Sequence, residues 1–317
     1  MKNNVLLLMA SFILGWTMVA HSTVLRVNNT PGINVPYATL TAAYNAAVNG
    51  DTIYLEGTVY DYGSLSIYKK LVIIGTGYYL TQNPETQANI NPSTVTTLYF
   101  YAGSSGCKVL GLTISSTFYI GATLQDFIVR RNYIGSLYNA ASSVTNCYFE
   151  QNMIFSATGQ FLNTLFRNNF MNSSSLTSNN TTLFLYNNVF YNASFIMAQC
   201  KNNIMYGGGT FTNCDLLNNI GSGLQFPVGN GNQQNVNMSN VFLCYTGCGA
   251  YAPDAAFQLK VGSPAIGAGS NGEDCGMFGG TDPYVLSGMP PIPAIYYFNY
   301  NFNNSTINVD MKVKSHN

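Results

Sequence analysis

Five residues at matching places in a repeated pattern are the chemically suggestive feature of this chain: Arg130, Glu150, Arg167, Tyr186 and Lys201. Each stands two places before an asparagine, at Asn132, Asn152, Asn169, Asn188 and Asn203. Stacked on neighbouring strands about 4.8 Å apart, they would form a ribbon of alternating charge roughly 20 Å long. As substrate-binding residues, the arginines and the lysine would hold uronate carboxylates, arginine in the bidentate way. As catalytic candidates, Arg167, Tyr186 and Lys201 would supply stacking and the acid/base groups of a β-elimination. The same column also reads as a solvated face in which Glu150 bridges its arginine neighbours, a type of contact contributing about 0–1 kcal/mol.

The elements that must position this column are repeats. FIVRRNYI, CYFEQNMI, TLFRNNFM, LFLYNNVF, AQCKNNIM and CDLLNNIG recur every 15 to 20 residues between Leu124 and Gly221. Three places before each asparagine stands an apolar residue: Val129, Phe149, Phe166, Leu185, Cys200 or Leu216. The positions five before and one after are nearly all apolar as well. Such short units cannot bury an apolar face alone and must stack on one another, the mark of a solenoid. The asparagines themselves read as scaffold, since asparagine tolerates left-handed turns and stacked amides satisfy one another. The column ends at Leu217, which limits any site to Arg130–Lys201.

Composition excludes several function classes. Of 317 residues only 8% are charged, with 12 basic and 12 acidic side chains, so neither nucleic acid nor an anionic membrane is an expected partner. Residues 1–22 read as a signal peptide: Lys2, an apolar run Val5–Ala20, then small residues around Ala20-His21-Ser22. No later stretch is apolar enough for a transmembrane segment. Of seven cysteines, Cys147, Cys200 and Cys214 fall in apolar columns and read as buried, while Cys244, Cys248 and Cys275 would allow one local bridge of undetermined pairing. The only histidines are His21 and His316, which leaves zinc ligation and a Ser-His-Asp mechanism without a partner. Glu273-Asp274 is the one adjacent acidic pair and reads as a polar turn; Asp126 and Glu150 fall in different columns, so no carboxylate cluster for calcium is expected.

Along the chain, Thr23–Asn28 and Thr52–Leu55 read as strands flanking a helix within Tyr37–Asn49, placed to cap the first rung. Gln82–Ser93, Ser173–Thr182 and Gly229–Gln234 read as loops, and Asn240–Cys244 as a strand. GSPAIGAGSNGEDCGMFGG is expected to close the regular body. Beyond MPPIP, Tyr296, Phe298, Tyr300 and Phe302 alternate, turn at Asn303-Asn304, and meet Ile307, Val309, Met311 and Val313, a hairpin that would dock on the solenoid or complete its far cap.

YATLTAAYNAAVNGDTIYLEG, the rung CKVLGLTIS, the asparagine-ended repeats and SPAIGAGSNGEDCGMFGG together resemble secreted bacterial right-handed parallel β-helix proteins of the pectin-lyase-like superfamily, over roughly Thr23–Tyr284. The tail resembles C-terminal ends of such proteins in Bacteroidetes-type bacteria. The resemblance implies an all-β coil of three parallel sheets with a stacked asparagine ladder, and a superfamily containing lyases, hydrolases, esterases and non-catalytic members. The expected organisation is signal peptide 1–22, right-handed parallel β-helix 23–290 and hairpin tail 291–317. The expected function is a secreted or cell-surface protein binding a polysaccharide or cell-surface glycan, or a structural protein whose tail docks by strand addition, without cofactor or metal. The alternative is a polysaccharide lyase acting on an acidic glycan.

Overall fold

The computed structural model describes residues 22–141 and 144–316, so the expected leader, apart from Ser22, lies outside the described residues. The chain is a parallel β-solenoid of about nine turns. Ten strands stack in the first sheet, from Val24–Val27 through Thr52–Leu55 and Val72–Ile74 to Asp215–Leu217. One inward column runs through it in register, Ile73, Val109, Val129, Phe149, Phe166, Leu185, Cys200 and Leu216. All but the last of these are at most 1% exposed, as a strand alternating inward and outward side chains requires. Phe149 stacks on Phe166 with ring centroids 4.6 Å apart, so the columns pack ring on ring.

The second sheet has thirteen strands. Thr94–Phe100, Thr113–Ile120 and Tyr133–Asn139 are long strands whose pairing shifts register midway, which bends the sheet. At that bend a Cβ on Gly135 would lie 2.7 Å from the carbonyl oxygens of Ser115 and Ser116, so glycine permits the close approach. In later rungs the bend breaks the strand in two, as in Met153–Ile154 and Ala157–Gln160. The three sheets implied by the resemblance are thus one ten-stranded sheet and one bent thirteen-stranded sheet, with a two-stranded patch at Leu124–Gln125 and Val144–Thr145.

The helix Leu40–Ala46 is shorter than the pattern suggested. Thr39 caps its start, its hydroxyl accepting from Ala42 N at 3.1 Å. Lys69 Nζ donates to the carbonyls of Tyr44 and Ala47 at 2.8 Å, satisfying groups a helix end leaves open. Leu40 and Ala43 enter the core beside Leu25 and Val27 of the first strand. Ser173–Thr182, read as a loop, contains the strand Ser175–Thr177, because Leu176 fills an inward position. Asn240–Cys244, read as a strand, instead begins inside the helical turn Met238–Val241, capped by the Asn237 side chain accepting from Ser239 N, and contributes only an isolated bridge at Phe242.

The larger correction concerns the C-terminal third. The glycine-rich segment does not close the far end; it folds back as a strap along the outside of the coil. Ser270 lies against Asn218, Met277 and Gly279 against Asn168, Asp282 against Gln151, and Met289 against Arg131. Beneath it, Met153, Phe170, Val189, Ile204 and Ile220 form a second apolar core with Cys275, Met277 and Tyr284. This explains apolar residues one place after each asparagine, which face outward from the coil. The hairpin, Pro293–Asn303 and Thr306–Ser315, therefore emerges near the early rungs, where Ala88 N donates to Ile295 O at 2.7 Å. Tyr296 is the extra residue of a register shift within it, and the turn falls at Asn304-Ser305. Among the described residues no helix is long and apolar enough to cross a membrane.

Candidate functional site

Every rung from Arg130 onward turns at a two-residue corner. The first corner residue has positive φ: Arg131, Gln151, Asn168, Asn187, Asn202 and Asn218, between 52° and 60°. The second is the ladder asparagine. The left-handed conformation thus belongs to the residue before the ladder, where asparagine is again favoured. From Asn152 onward each ladder oxygen accepts two bonds from the preceding asparagine, whereas Asn132 Oδ1 accepts from Leu112 N; Asn152 Oδ1 takes Asn132 N at 2.9 Å and Nδ2 at 3.1 Å. Each ladder Nδ2 also donates to a strand carbonyl, as Asn169 does to Phe149 O at 2.8 Å. Asn232, placed by its sequence in a loop, is the seventh member, accepting from Asn219 N at 2.9 Å.

The charged column is in register: Arg130 beside Glu150, Glu150 beside Arg167, Arg167 beside Tyr186, Tyr186 beside Lys201. Its first half is an ion-pair network. Arg167 Nη2 lies 2.9 Å from Glu150 Oε1 and 2.9 Å from Asp282 Oδ2, and Arg130 pairs with the same Asp282 and, at 3.9 Å, with Glu150. Asp282 belongs to the strap, a partner not legible in the repeats. The second half opens on a small cleft of about 120 Å³ lined by Tyr186, Lys201, Glu273, Thr281 and Asp282. Among the described residues Lys201 makes no ion pair. Burial pushes the Tyr186 hydroxyl above its ordinary pKa, and it donates to Gln199 Oε1 at 3.3 Å. Among the described residues no cluster of three metal-ligating side chains occurs.

A second constellation lies on the outer surface of the bent sheet. Tyr99, Tyr119 and Tyr138 are in register on three adjacent strands, with Tyr101 and Tyr68 continuing the surface. Tyr68 stacks on Tyr101 at 5.1 Å, Tyr99 meets Tyr119 at 5.6 Å, and Tyr119 meets Tyr138 at 5.7 Å. Tyr68 and Tyr138 are exposed, the other three half-exposed. The sequence signal was available: Leu98-Tyr99-Phe100, Phe118-Tyr119-Ile120 and Leu137-Tyr138-Asn139 place one tyrosine outward between two inward residues. It was hidden because two of these strands precede the asparagine-ended repeats and the third runs on past the octet FIVRRNYI, outside the columns that repeat. Elsewhere Cys244 and Cys248 form the disulfide and Cys275 is free and buried, its thiol pushed up to about 12 by desolvation. The disulfide loop walls an aromatic cavity of about 440 Å³ with Tyr206, Tyr245 and Tyr251.

By fold the molecule is a parallel β-solenoid with a clasped C-terminal strap and an outward tyrosine platform. Comparison with family models, with curated proteins and with solved structures returned no match.

Proposed function

We propose that this is an exported bacterial β-solenoid, secreted or held at the cell surface, that binds a polysaccharide or cell-surface glycan without turning it over. The observation that carries the reading is the platform of Tyr68, Tyr99, Tyr101, Tyr119 and Tyr138. Flat aromatic faces with hydroxyl tips suit sugar rings, which are apolar on their C–H faces and polar at their edges. Hydrogen-bonded strands hold these rings in place, so little ordering cost remains for binding. Ser115 and Ser116, at the bend of the strand that carries Tyr119, are exposed, neutral hydrogen-bonding groups. The leader pattern at residues 1–22 supports export, and the Cys244–Cys248 disulfide suits an oxidising compartment.

Titration calorimetry against a panel of neutral and uronate oligosaccharides tests this. Binding should occur, and Tyr119→Ala and Tyr138→Ala should each weaken it at least about tenfold, as loss of a stacked ring worth more than 1.4 kcal/mol does. An affinity indifferent to both substitutions would sink the reading.

A second reading, β-elimination on an acidic glycan, is favoured by one feature: Lys201, which makes no ion pair among the described residues, stands beside Tyr186 on the small cleft. Its test is the absorbance of unsaturated products from uronate polysaccharides. Turnover abolished by Lys201→Ala and Tyr186→Phe would replace the binding reading with a lyase.

A further inference from the structure

The C-terminal hairpin presents an amphipathic ribbon with one face uncovered. Phe298, Tyr300 and Phe302 stand directly opposite Met311, Val309 and Ile307. These six are between 51% and 71% exposed. The other face is polar: Asn299 opposes Asp310, Asn301 opposes Asn308, and Asn303 opposes Thr306. Among the described residues only the base is anchored, through the Ala88–Ile295 backbone bond, the Lys314–Glu85 pair at 2.8 Å, the Arg131 guanidinium donating to His316 O and the buried Ala294. A two-stranded ribbon alone in water is marginally stable, because nothing buries its apolar side. Soluble monomers seldom expose an apolar patch larger than a few hundred Å².

We propose that this face is the interface between two copies of this chain, the two hairpins packing face to face about a twofold axis. Area argues for it. With each fully exposed ring offering on the order of 200 Å² and each aliphatic chain somewhat less, the six side chains expose roughly 700 Å² per chain. Two such faces together come to about 1,400 Å², inside the roughly 1,200–2,000 Å² of a standard stable interface. Charge argues for it too. None of the six is an acidic or basic residue of the Asp, Glu, Lys, Arg or His kind, so the face meets its own copy without like-charge repulsion or a buried unpaired charge. Stacked as two layers about 10 Å apart, the ribbons become a four-stranded sandwich whose core is these rings and aliphatic chains. At the anchored base Phe298 also walls a groove of about 550 Å³ with Tyr54 and Asn89 of the coil, so the contact between copies centres on Tyr300, Phe302, Ile307 and Val309 toward the tip.

Sedimentation equilibrium of the full chain between about 1 and 100 µM, the range that brackets micromolar association, is the test. A monomer–dimer equilibrium is expected. Val309→Lys and Phe302→Lys should weaken it at least tenfold while leaving circular dichroism and melting temperature unchanged, since both side chains are already exposed. Asn301→Lys, on the polar face, should leave the dimer intact. A wild-type chain that stays monomeric, or a dimer unaffected by Val309→Lys, overturns the proposal. A monomer that instead co-sediments with neutral phosphatidylcholine vesicles overturns it as well and assigns the face to a lipid surface.

Discussion

The amide of Gln151 donates to the carboxylate of Asp282 at 2.8 Å and to its carbonyl at 3.0 Å, joining a corner of the coil to a residue 131 positions later. The same corner position is used at successive rungs: Asn168 donates to Met277 O and Gly279 O, Asn187 to Asp274 O, and Asn202 to Glu273 Oε2. Left-handed corner residues aim their side chains away from the coil. They are therefore free to clasp the strap while the next residue builds the ladder.

The ladder should be the most mutation-sensitive polar element. Asn169 is fully buried, and Asn169→Leu leaves the buried Asn152 N–H without a partner while removing a bond each from Asn152 Nδ2 and the Phe149 carbonyl. Stability should fall by about 2 kcal/mol or more, the cost of one buried unsatisfied backbone group with the bonds lost beside it. Asn232→Leu, at the partly open end, should cost about 1 kcal/mol, a single modest hydrogen bond. Urea titrations of both variants check the ratio.

The strap should depend on salt as well as on amides. Asp282→Ala removes the carboxylate shared by Arg130 and Arg167, whose side chains are 23% and 31% exposed. After solvent screening the loss should be about 1 kcal/mol. Faster limited proteolysis at Gly279–Thr281 and a difference that shrinks at high salt are the expected signs.

Acid should loosen the first rungs. Backbone bonds from Val48 N and Thr23 N hold the Asp51 carboxyl below its ordinary pKa. A depressed folded value means the contribution is full above the unfolded pKa of about 3.9 and is lost as pH falls through the folded value. Melting temperature should therefore drop below about pH 4, and Asp51→Asn should flatten that part of the profile.

One thiol should react ahead of the others. A hydrogen bond with Cys200 lowers the Cys214 pKa to about 7, whereas desolvation pushes Cys107 to about 11 and Cys147 to about 12. Since the thiolate is the nucleophile, iodoacetamide on the folded protein should label Cys214 first, with a rate that rises through about pH 7. Peptide mapping identifies the site.

The tyrosine platform has a glycine beneath it. A Cβ on Gly121 would lie 2.7 Å from both Tyr101 Cε1 and Tyr119 Cε1. Gly121→Val should leave the melting temperature within a degree or two of wild type, because the rings yield outward into solvent, yet weaken glycan binding at least about tenfold by breaking their alignment. Calorimetry against the bound oligosaccharide reads this directly.

What the chain determined locally was legible from its residues. Alternation of inward and outward side chains, one asparagine per turn and the spacing of the repeats placed Phe149 on Phe166 and Glu150 between Arg130 and Arg167, because parallel stacking aligns equivalent positions. Only the tertiary structure decided what covers the outer surface. Asp282, Met277 and Cys275 carry no periodic signal, so their return along the coil, and the second apolar core beneath them, could not be read from a pattern with a period of one rung. The tyrosine platform needed both: strand alternation turned each ring outward, and the stacking of three rungs brought Tyr99, Tyr119 and Tyr138 together.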